Sequence, residues 1–258
     1  MQRDDLSAAQ DAHYQLQLGC YFSTFYDTPV ARFTFSDAVT DFIWNHACFV
    51  RVGEVEAPGF IDSVIKFYES RDRRPCVYTS AETQPLTFER QLVERGFENK
   101  DQEAWMFRVR VPAMGKAIAQ SSIEDVSTVS SIEQFNGVLA ACFPADYTNA
   151  INREFHQFQV HKRVKHFLAR IGSEIVGIGS LYIRGQHAVI HNMGTAPSWR
   201  QKGVATSVLT HLVNHAEAAG SSDVFLQCLG GGEVEAFYAK RGFETRWRRT
   251  GYVLDVGK

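Results

Sequence analysis

The sequence predicts an α/β chain in which a mixed, mostly antiparallel twisted sheet is flanked by helices, in two similar units in tandem. Three strand-like runs joined by two-residue turns, over residues 167–195, predict antiparallel hairpins. A run with helical spacing, Val204 to Ala219, follows them and ends at Gly220. The stretch Leu92–Glu98 (LVERGFE) parallels Tyr238–Glu244 (YAKRGFE), which indicates a weak internal repeat.

The C-terminal half has the clearer order of elements. A helix is predicted over Val126 to Phe143, followed by a polar loop from Pro144 to Arg153 that leads into another helical segment. The three strands then have the bounds Phe167 to Ile171, Ile175 to Ile183 and Ala188 to Thr195. After the helix that begins at Val204 come a strand from Ser222 to Leu229, a helix through Tyr238 and a closing strand from Gly251 to Val256.

The N-terminal half repeats part of this order. It has a predicted helix over Asp62 to Ser70, a strand over Pro75 to Thr79, a helix over Leu86 to Arg95 and a strand over Ala104 to Val111. Pro112 and Gly115 interrupt the last strand, which places a domain boundary near residues 112–116. The predicted domains are residues 1–112 and 117–258.

Composition excludes several classes of protein. Of 258 residues, 45% are apolar and 22% are charged, which is the balance of a globular chain, and the net charge of −2 gives no support for nucleic acid or an anionic membrane as a partner. No apolar run has the length of a signal peptide or membrane span. Five scattered cysteines show no metal-ligand spacing. We expect a cytoplasmic protein with reduced thiols and no metal.

The stretch Pro197–Thr206 (PSWRQKGVAT) carries the strongest functional signal, because it connects a predicted strand to a predicted helix. A helix start leaves its first backbone N–H groups without internal partners and carries partial positive charge, so a loop that wraps it can bind a diphosphate. Gly203 and Ala205 keep bulky side chains away from such an anion. By itself, the pattern is also compatible with an ordinary tight turn.

Two motifs together resemble a known family. The hexapeptide Arg200-x-x-Gly203-x-Ala205 is similar to the R/Q-x-x-G-x-G/A signature of the GCN5-related N-acetyltransferase (GNAT) superfamily, and Tyr238 stands four residues before Gly242-Phe243 as in that family. The resemblance implies a GNAT fold over the C-terminal half, with acetyl-CoA as acyl donor. The N-terminal half resembles a degenerate GNAT-like unit with no phosphate loop.

The sequence departs from the family pattern at two places. Many relatives have Asn seven residues before the tyrosine and Ala four before it, whereas this chain has Gly231 and Val234. In the N-terminal half, Leu92 occupies the place of Tyr238. Coenzyme A contacts from the segment before Tyr238 are therefore not implied by the resemblance.

The resemblance implies a set of coenzyme-binding residues. The strand before the loop pairs with the pantetheine arm, Gly194 marks a local bulge, the loop amides hold the diphosphate, and Arg200 and Lys202 supply positive charge. The full set is Met193, Gly194, Thr195, Arg200, Gln201, Lys202, Gly203, Val204, Ala205 and Thr206. Alternatively, Arg200 and Lys202 are ordinary solvent-exposed surface charges.

Acyl transfer to an amine needs a base, an acid and stabilisation of the carbonyl oxygen. The family places the Tyr238 hydroxyl beside the sulfur, so it is the candidate acid, with a packed core tyrosine as the alternative. His191 is the candidate base because imidazole titrates near neutral pH, although a structural histidine is equally compatible with the pattern. Backbone N–H groups near Met193 are implied for the oxygen. Cys228 is not expected to be a nucleophile, since no base accompanies it.

The acceptor is the least determined part. Phe143 and Tyr147 are candidates to line its pocket and Asp146 to attract a cation, or all three simply anchor a loop. The leading hypothesis is acetylation of a primary amine of a small molecule through a ternary complex, by a monomer or homodimer. The alternatives are acetylation of a protein N-terminus or lysine, and a non-catalytic module that binds or senses coenzyme A.

Overall fold

The computed structural model describes residues 3–109, 121–153 and 164–255. The labelled helices are α1 (Arg3–Gln17), α2 (Ala57–Glu69), α3 (Phe88–Glu94), α4 (Val129–Cys142), α5 (Val204–Ala218) and α6 (Glu233–Ala239). The strands are β1 (Thr24–Asp27), β2 (Arg32–Phe35), β3 (Ala47–Cys48), β4 (Cys76–Thr79), β5 (Glu98–Arg108), β6 (Ser122–Asp125), β7 (Val164–Ile171), β8 (Glu174–Arg184), β9 (His187–Thr195), β10 (Asp223–Leu229) and β11 (Phe243–Val253).

Three predicted boundaries are corrected. Helix α4 begins at Val129 rather than Val126, because the Thr128 side chain accepts from the Ser131 amide in a capping box. The predicted loop over residues 144–153 is wrong beyond its first turn, since residues 147–153 are helical. The closing strand begins at Phe243, eight residues before its predicted start, because alternating exposed polar side chains obscured it.

The chain packs into two compact units, each made of three segments. The first unit comprises Met1–Cys20, Met106–Gln227 and Ala236–Glu244, and the second comprises Tyr21–Trp105, Cys228–Glu235 and Thr245–Lys258. The first unit therefore includes helix α1 from the start of the chain. The boundary predicted near residues 112–116 lies outside the described residues.

The first unit has a sheet in the order β10-β9-β8-β7-β6. Strands β7, β8 and β9 pair antiparallel through short turns, as predicted, and β9 pairs parallel with β10. Helix α5 lies so close to β8 that a Cβ on Gly177 or Gly179 would come within 2.5 to 2.7 Å of Val204 or Val208. Helix α4 covers the opposite face, where Phe135 packs beside His166. The sheet is thus mixed and flanked by helices, which confirms the predicted fold class.

In the second unit the strands lie in the order β1-β2-β3-β4-β11-β5. Strand β2 pairs antiparallel with β1 and β3, β4 pairs antiparallel with β11, and β3 pairs parallel with β4. Helices α2 and α3 pack on one face through residues that include Ile61, Val64, Phe88 and Leu92. Leu92 is fully buried in this core. Its apolar side chain therefore contributes to the core of the second unit.

The other face of that sheet holds a buried ion pair. Arg249 of β11 donates to Oε2 of Glu103 on β5 at 2.7 and 2.9 Å, and its guanidinium lies 4.5 Å from the centroid of the Tyr78 ring. The two charged residues are 4% and 6% exposed. A buried cation without its counter-ion is strongly unfavourable, so the pair constrains how β5 and β11 are paired.

We expect Glu103→Gln to destabilise the fold by roughly 3 kcal/mol, because it removes the carboxylate that binds the buried Arg249 guanidinium. Urea unfolding followed by circular dichroism measures the change. The matched control is Arg51→Gln, which removes the far more exposed ion pair between Arg51 and Glu82 and is expected to cost less than about 1 kcal/mol. Equal losses for the two variants would contradict this role of the buried pair.

Candidate active site

Strands β9 and β10 of the first unit part before the end of β9. Their parallel pairing runs from His187 opposite Asp223 to Ile190 opposite Leu226, and His191 to Thr195 lie beyond its last pair. On its other side, β9 continues to pair with β8 as far as Thr195. One edge of residues 191–195 is therefore placed to accept an extended ligand as an added strand.

A β-bulge lies at the point where the strands part. His191 pairs with Ser180 and Gly194 with Ile178, so Asn192 and Met193 together face only Gly179. The bulge predicted at Gly194 is thus misplaced by one to two residues. Asn192 adopts φ of 52°, a left-handed conformation that asparagine tolerates better than most residues.

Gly194 has a different role. A Cβ there would lie 2.9 Å from Cγ1 of Ile178 and 3.3 Å from Sγ of Cys142, so any larger residue would force α4 or β8 to move. The Cys142 thiol also donates to the carbonyl of Thr195 at 3.4 Å. These contacts hold the end of α4 against the end of β9.

The loop after β9 exposes the start of α5. A short 3-10 turn at Pro197–Trp199 is followed by two left-handed residues, Gln201 with φ of 61° and Gly203 with φ of 87°. Helix α5 begins at Val204, and no side chain caps it. Among the described residues, no side chain therefore forms a capping bond with its first turn, which is the arrangement that binds a phosphate group.

The cations of the loop lie at its surface. Arg200, Gln201 and Lys202 are exposed. The ammonium of Lys202 lies 4.8 Å from the centroid of the Trp199 ring, and the indole of Trp199 donates to Glu174 at 2.7 Å. The contact with an aromatic face keeps the Lys202 charge beside the loop.

Arg241, which sequence reasoning missed, adds a cation at the same helix start. Its Nε and Nη2 donate to Oγ1 of Thr206 at 3.0 and 2.8 Å, and its Nη1 donates to the carbonyl of Phe237 at 2.8 Å. The guanidinium also lies 3.7 Å from the Phe237 ring centroid. Partial burial lowers its pKa, yet the group stays charged at neutral pH. Its place directly before Gly242-Phe243 marks Arg241 in the sequence but does not indicate its contact with Thr206.

Tyr238 lies on α6, the short helix after β10. It is 7% exposed, and its ring meets the rings of Phe237 and Phe243 edge-on at 5.1 and 5.9 Å. These contacts fix the ring in the core of the first unit. Val234, at the position where relatives have alanine, is 49% exposed.

His191 belongs to a chain of polar side chains across β9, β8 and β7. Its Nδ1 lies 3.0 Å from Oδ1 of Asn192, whose Nδ2 donates to Oγ of Ser180 at 3.0 Å. Oγ of Ser180 lies 2.6 Å from Nδ1 of His166. Burial, followed by the nearby His191, lowers the pKa of His166 to about 3, so that ring is neutral.

The two predicted acceptor residues lie together. Phe143 follows the last residue of α4, and its ring stacks on Tyr147 with centroids 5.9 Å apart and planes within 10°. Tyr147 is buried. Cys142, which directly precedes Phe143, contacts the carbonyl of Thr195 at the end of β9. The stacked pair therefore follows directly after this contact with the strand end.

Cys228 is poorly suited to nucleophilic attack. Burial, and then the carboxylate of Glu235, raise the pKa of its thiol to about 12. A thiol must ionise to attack, so this side chain stays protonated at neutral pH.

Comparison with known proteins finds a family match for part of the chain. Residues 132–243 match the acetyltransferase (GNAT) family model. They therefore form a GNAT domain, as the resemblance predicted. A comparison with curated protein sequences found no match.

Solved structures with the same fold extend over most of the chain. A GCN5-related N-acetyltransferase from Kribbella flavida is 18% identical, with a TM-score of 0.73 over 97% of this chain and 96% of that chain. One from Sphaerobacter thermophilus is 12% identical, with a TM-score of 0.65 over 87% and 80%. A tandem GNAT protein from the clavulanic acid biosynthesis pathway is 13% identical, with a TM-score of 0.60 over 88% and 79%. Over 88% of its length, the chain thus shares the fold of a tandem GNAT protein.

Within residues 3–109, 121–153 and 164–255, no helix is long and apolar enough to cross a bilayer. The same residues contain no group of three or more His, Cys, Asp or Glu side chains that could hold a metal ion.

Proposed function

We propose that this protein transfers an acetyl group from acetyl-CoA to the primary amine of a small molecule. The observation that carries the proposal is the start of α5, which has no side-chain cap, shortly after the strand end that lies beyond the last β9–β10 pair at Ile190 and Leu226. The start of α5 suits a diphosphate, and the end of β9 suits an extended pantetheine arm. These two groups are joined to each other in coenzyme A. Membership of residues 132–243 in the GNAT family supports the same assignment.

The donor would be held mainly by backbone groups. The amides of residues 201–206 would take the diphosphate, and Arg200, Lys202 and Arg241 would add positive charge around them. Residues 193–195 would pair with the amide groups of the pantetheine arm. Such pairing would direct the thioester toward the bulge at Asn192, where β9 departs from regular pairing with β8.

The reaction would proceed by direct attack. The amine nitrogen forms a bond to the acetyl carbon while the carbon–sulfur bond breaks. The amine loses a proton to Nε2 of His191, directly or through water, and the leaving thiolate takes a proton from the hydroxyl of Tyr238. N–H groups of the diverging strand would stabilise the negative charge on the carbonyl oxygen.

A small acceptor is supported by the surroundings of His191. Helix α1 brings His13 to 6.2 Å from the His191 ring centroid, and Tyr182 lies at the same distance on β8. Phe143 and Tyr147 offer a stacked aromatic pair at the end of α4. Such rings suit a compact amine with an apolar or aromatic body.

The test is to follow free thiol while the protein is mixed with acetyl-CoA and a panel of primary amines. We expect thiol release that requires an amine and saturates with it. Release only in the presence of peptides or of protein extracts would favour acetylation of a protein. Tight binding of coenzyme A without turnover on any amine would contradict the proposal and favour a sensing module.

A further inference from the structure

We infer that Asn192 is a positioning residue that holds His191 in the tautomer whose Nε2 accepts the proton of the attacking amine. The inference rests on the proposed function, because it assigns the source of basicity within the same site. It is carried by the bulge in β9 and by the hydrogen bonds around its first residue.

The bulge brings the two side chains together. In a regular strand, neighbouring residues point to opposite faces of the sheet and their side chains do not meet. At Asn192 the left-handed backbone, with φ of 52°, breaks this alternation. Oδ1 of Asn192 can therefore lie 3.0 Å from Nδ1 of His191, the residue directly before it.

The donors and acceptors then determine the tautomer. An asparagine oxygen only accepts hydrogen bonds, so Nδ1 of His191 must carry the proton that joins the two. A neutral imidazole has one protonated nitrogen, which leaves the lone pair on Nε2. Nε2 is thus the nitrogen whose lone pair can accept a proton.

The orientation of the Asn192 amide is set in turn by Ser180. The Nδ2 group of Asn192 is buried and donates to Oγ of Ser180 at 3.0 Å. Ser180 is fully buried and lies 2.6 Å from Nδ1 of His166. If the buried amide of Asn192 reversed, its oxygen and nitrogen would exchange places, and each donor would become an acceptor. His191 can therefore change tautomer only if the hydrogen bonds through Asn192, Ser180 and His166 change together.

The first experiment reads the tautomer without requiring activity. Nitrogen-15 NMR of labelled imidazoles, with His191 assigned by the His191→Gln variant, distinguishes the two nitrogens. In the wild type near pH 7.5 we expect Nδ1 of His191 to be protonated and Nε2 to be unprotonated. In Asn192→Gly, which keeps the left-handed backbone accessible but removes the bond, the single Nδ1–H form should be lost. A protonated Nε2 in the wild type would overturn the inference.

The second experiment uses the pH dependence of kcat. The titratable groups around His191 include His13 on α1, Tyr182 on β8 and His166 on β7. Asn192→Asp places a carboxylate on Nδ1–H, which favours the charged imidazole and raises its pKa. Since the base works only when neutral, the acidic limb of the profile should move up by about one pH unit. Asn214→Asp, on the exposed side of α5, adds the same charge elsewhere and should leave the limb in place.

Failure of the inference and failure of the proposed function give different results. If the chain is not an acetyltransferase, no variant and no wild type will release thiol, while the NMR result still reports the tautomer. If it is an acetyltransferase but Asn192 has only a structural role, Asn192→Asp will change stability without moving the limb. We expect Asn192→Gly to lower kcat about tenfold with KM for acetyl-CoA unchanged.

Discussion

Replacing Gly203 with Asp is expected to weaken coenzyme A binding about 100-fold or more. Gly203 precedes the first residue of α5 and has φ of 87°, so its backbone and the amides after it would face the diphosphate. A carboxylate about 5 Å from a phosphate charge costs roughly 3 kcal/mol at an effective dielectric constant of about 20. That energy corresponds to a factor of about 100 in Kd. Isothermal titration calorimetry of coenzyme A into the variant measures the loss.

The matched control is Gly203→Asn. Asparagine has the same shape as aspartate and both tolerate the left-handed backbone, but asparagine is neutral. We expect the Kd of coenzyme A for Gly203→Asn to lie within about tenfold of the wild-type value, because asparagine places no negative charge beside the diphosphate. Melting temperatures of the two variants should be similar. If aspartate and asparagine weaken binding equally, steric blockage would explain the result and the charge argument would fail.

Replacing Tyr238 with Phe is expected to lower kcat by about 100-fold while the Kd of coenzyme A stays the same. The ring is held by edge-on contacts with Phe237 and Phe243, and phenylalanine retains both. Only the hydroxyl proton needed by the leaving thiolate is lost. Single-turnover measurements of thiol release compare the chemical step in the two proteins.

The control for this variant is Tyr252→Phe in the second unit. That hydroxyl donates to Oε2 of Glu89 at 3.1 Å, so its removal also deletes a partly buried phenol hydrogen bond. We expect a small loss of stability and no change in kcat. A Tyr238→Phe enzyme with wild-type kcat would remove the phenol from the mechanism and leave water as the proton source.

The sequence predicted the parts of the fold whose causes are local. Hairpin turns at Gly172 and Gly185, both with φ of 58°, gave the meander of β7 to β9, and the helical spacing after Gly203 gave α5. Strand β11 was predicted too short because its first half carries charged residues. Arg248 and Arg249 form ion pairs with Glu235 and Glu103. Because these carboxylates lie far away in the sequence, the charged residues of β11 look like those of a loop when the sequence is read alone.

The candidate site was predictable only where a motif spans it. The loop from Arg200 to Thr206 and the tyrosine on α6 could be recognised because their spacing is set along the chain. Arg241, Asn192 and helix α1 could not, because their roles depend on residues 35 or more positions away or on a bulge register. The bulge was placed at Gly194 from its residue type, whereas this glycine is required by the nearby side chains of Ile178 and Cys142.

The central claim is that backbone amides at the start of α5 bind the diphosphate of coenzyme A. Calorimetric titration of the wild-type protein with coenzyme A, and separately with pantetheine, tests it most directly because pantetheine lacks the diphosphate. We expect one coenzyme A site per chain and at least about 100-fold weaker binding of pantetheine. No binding of coenzyme A to the folded protein, or equal affinity for the two compounds, would contradict the claim.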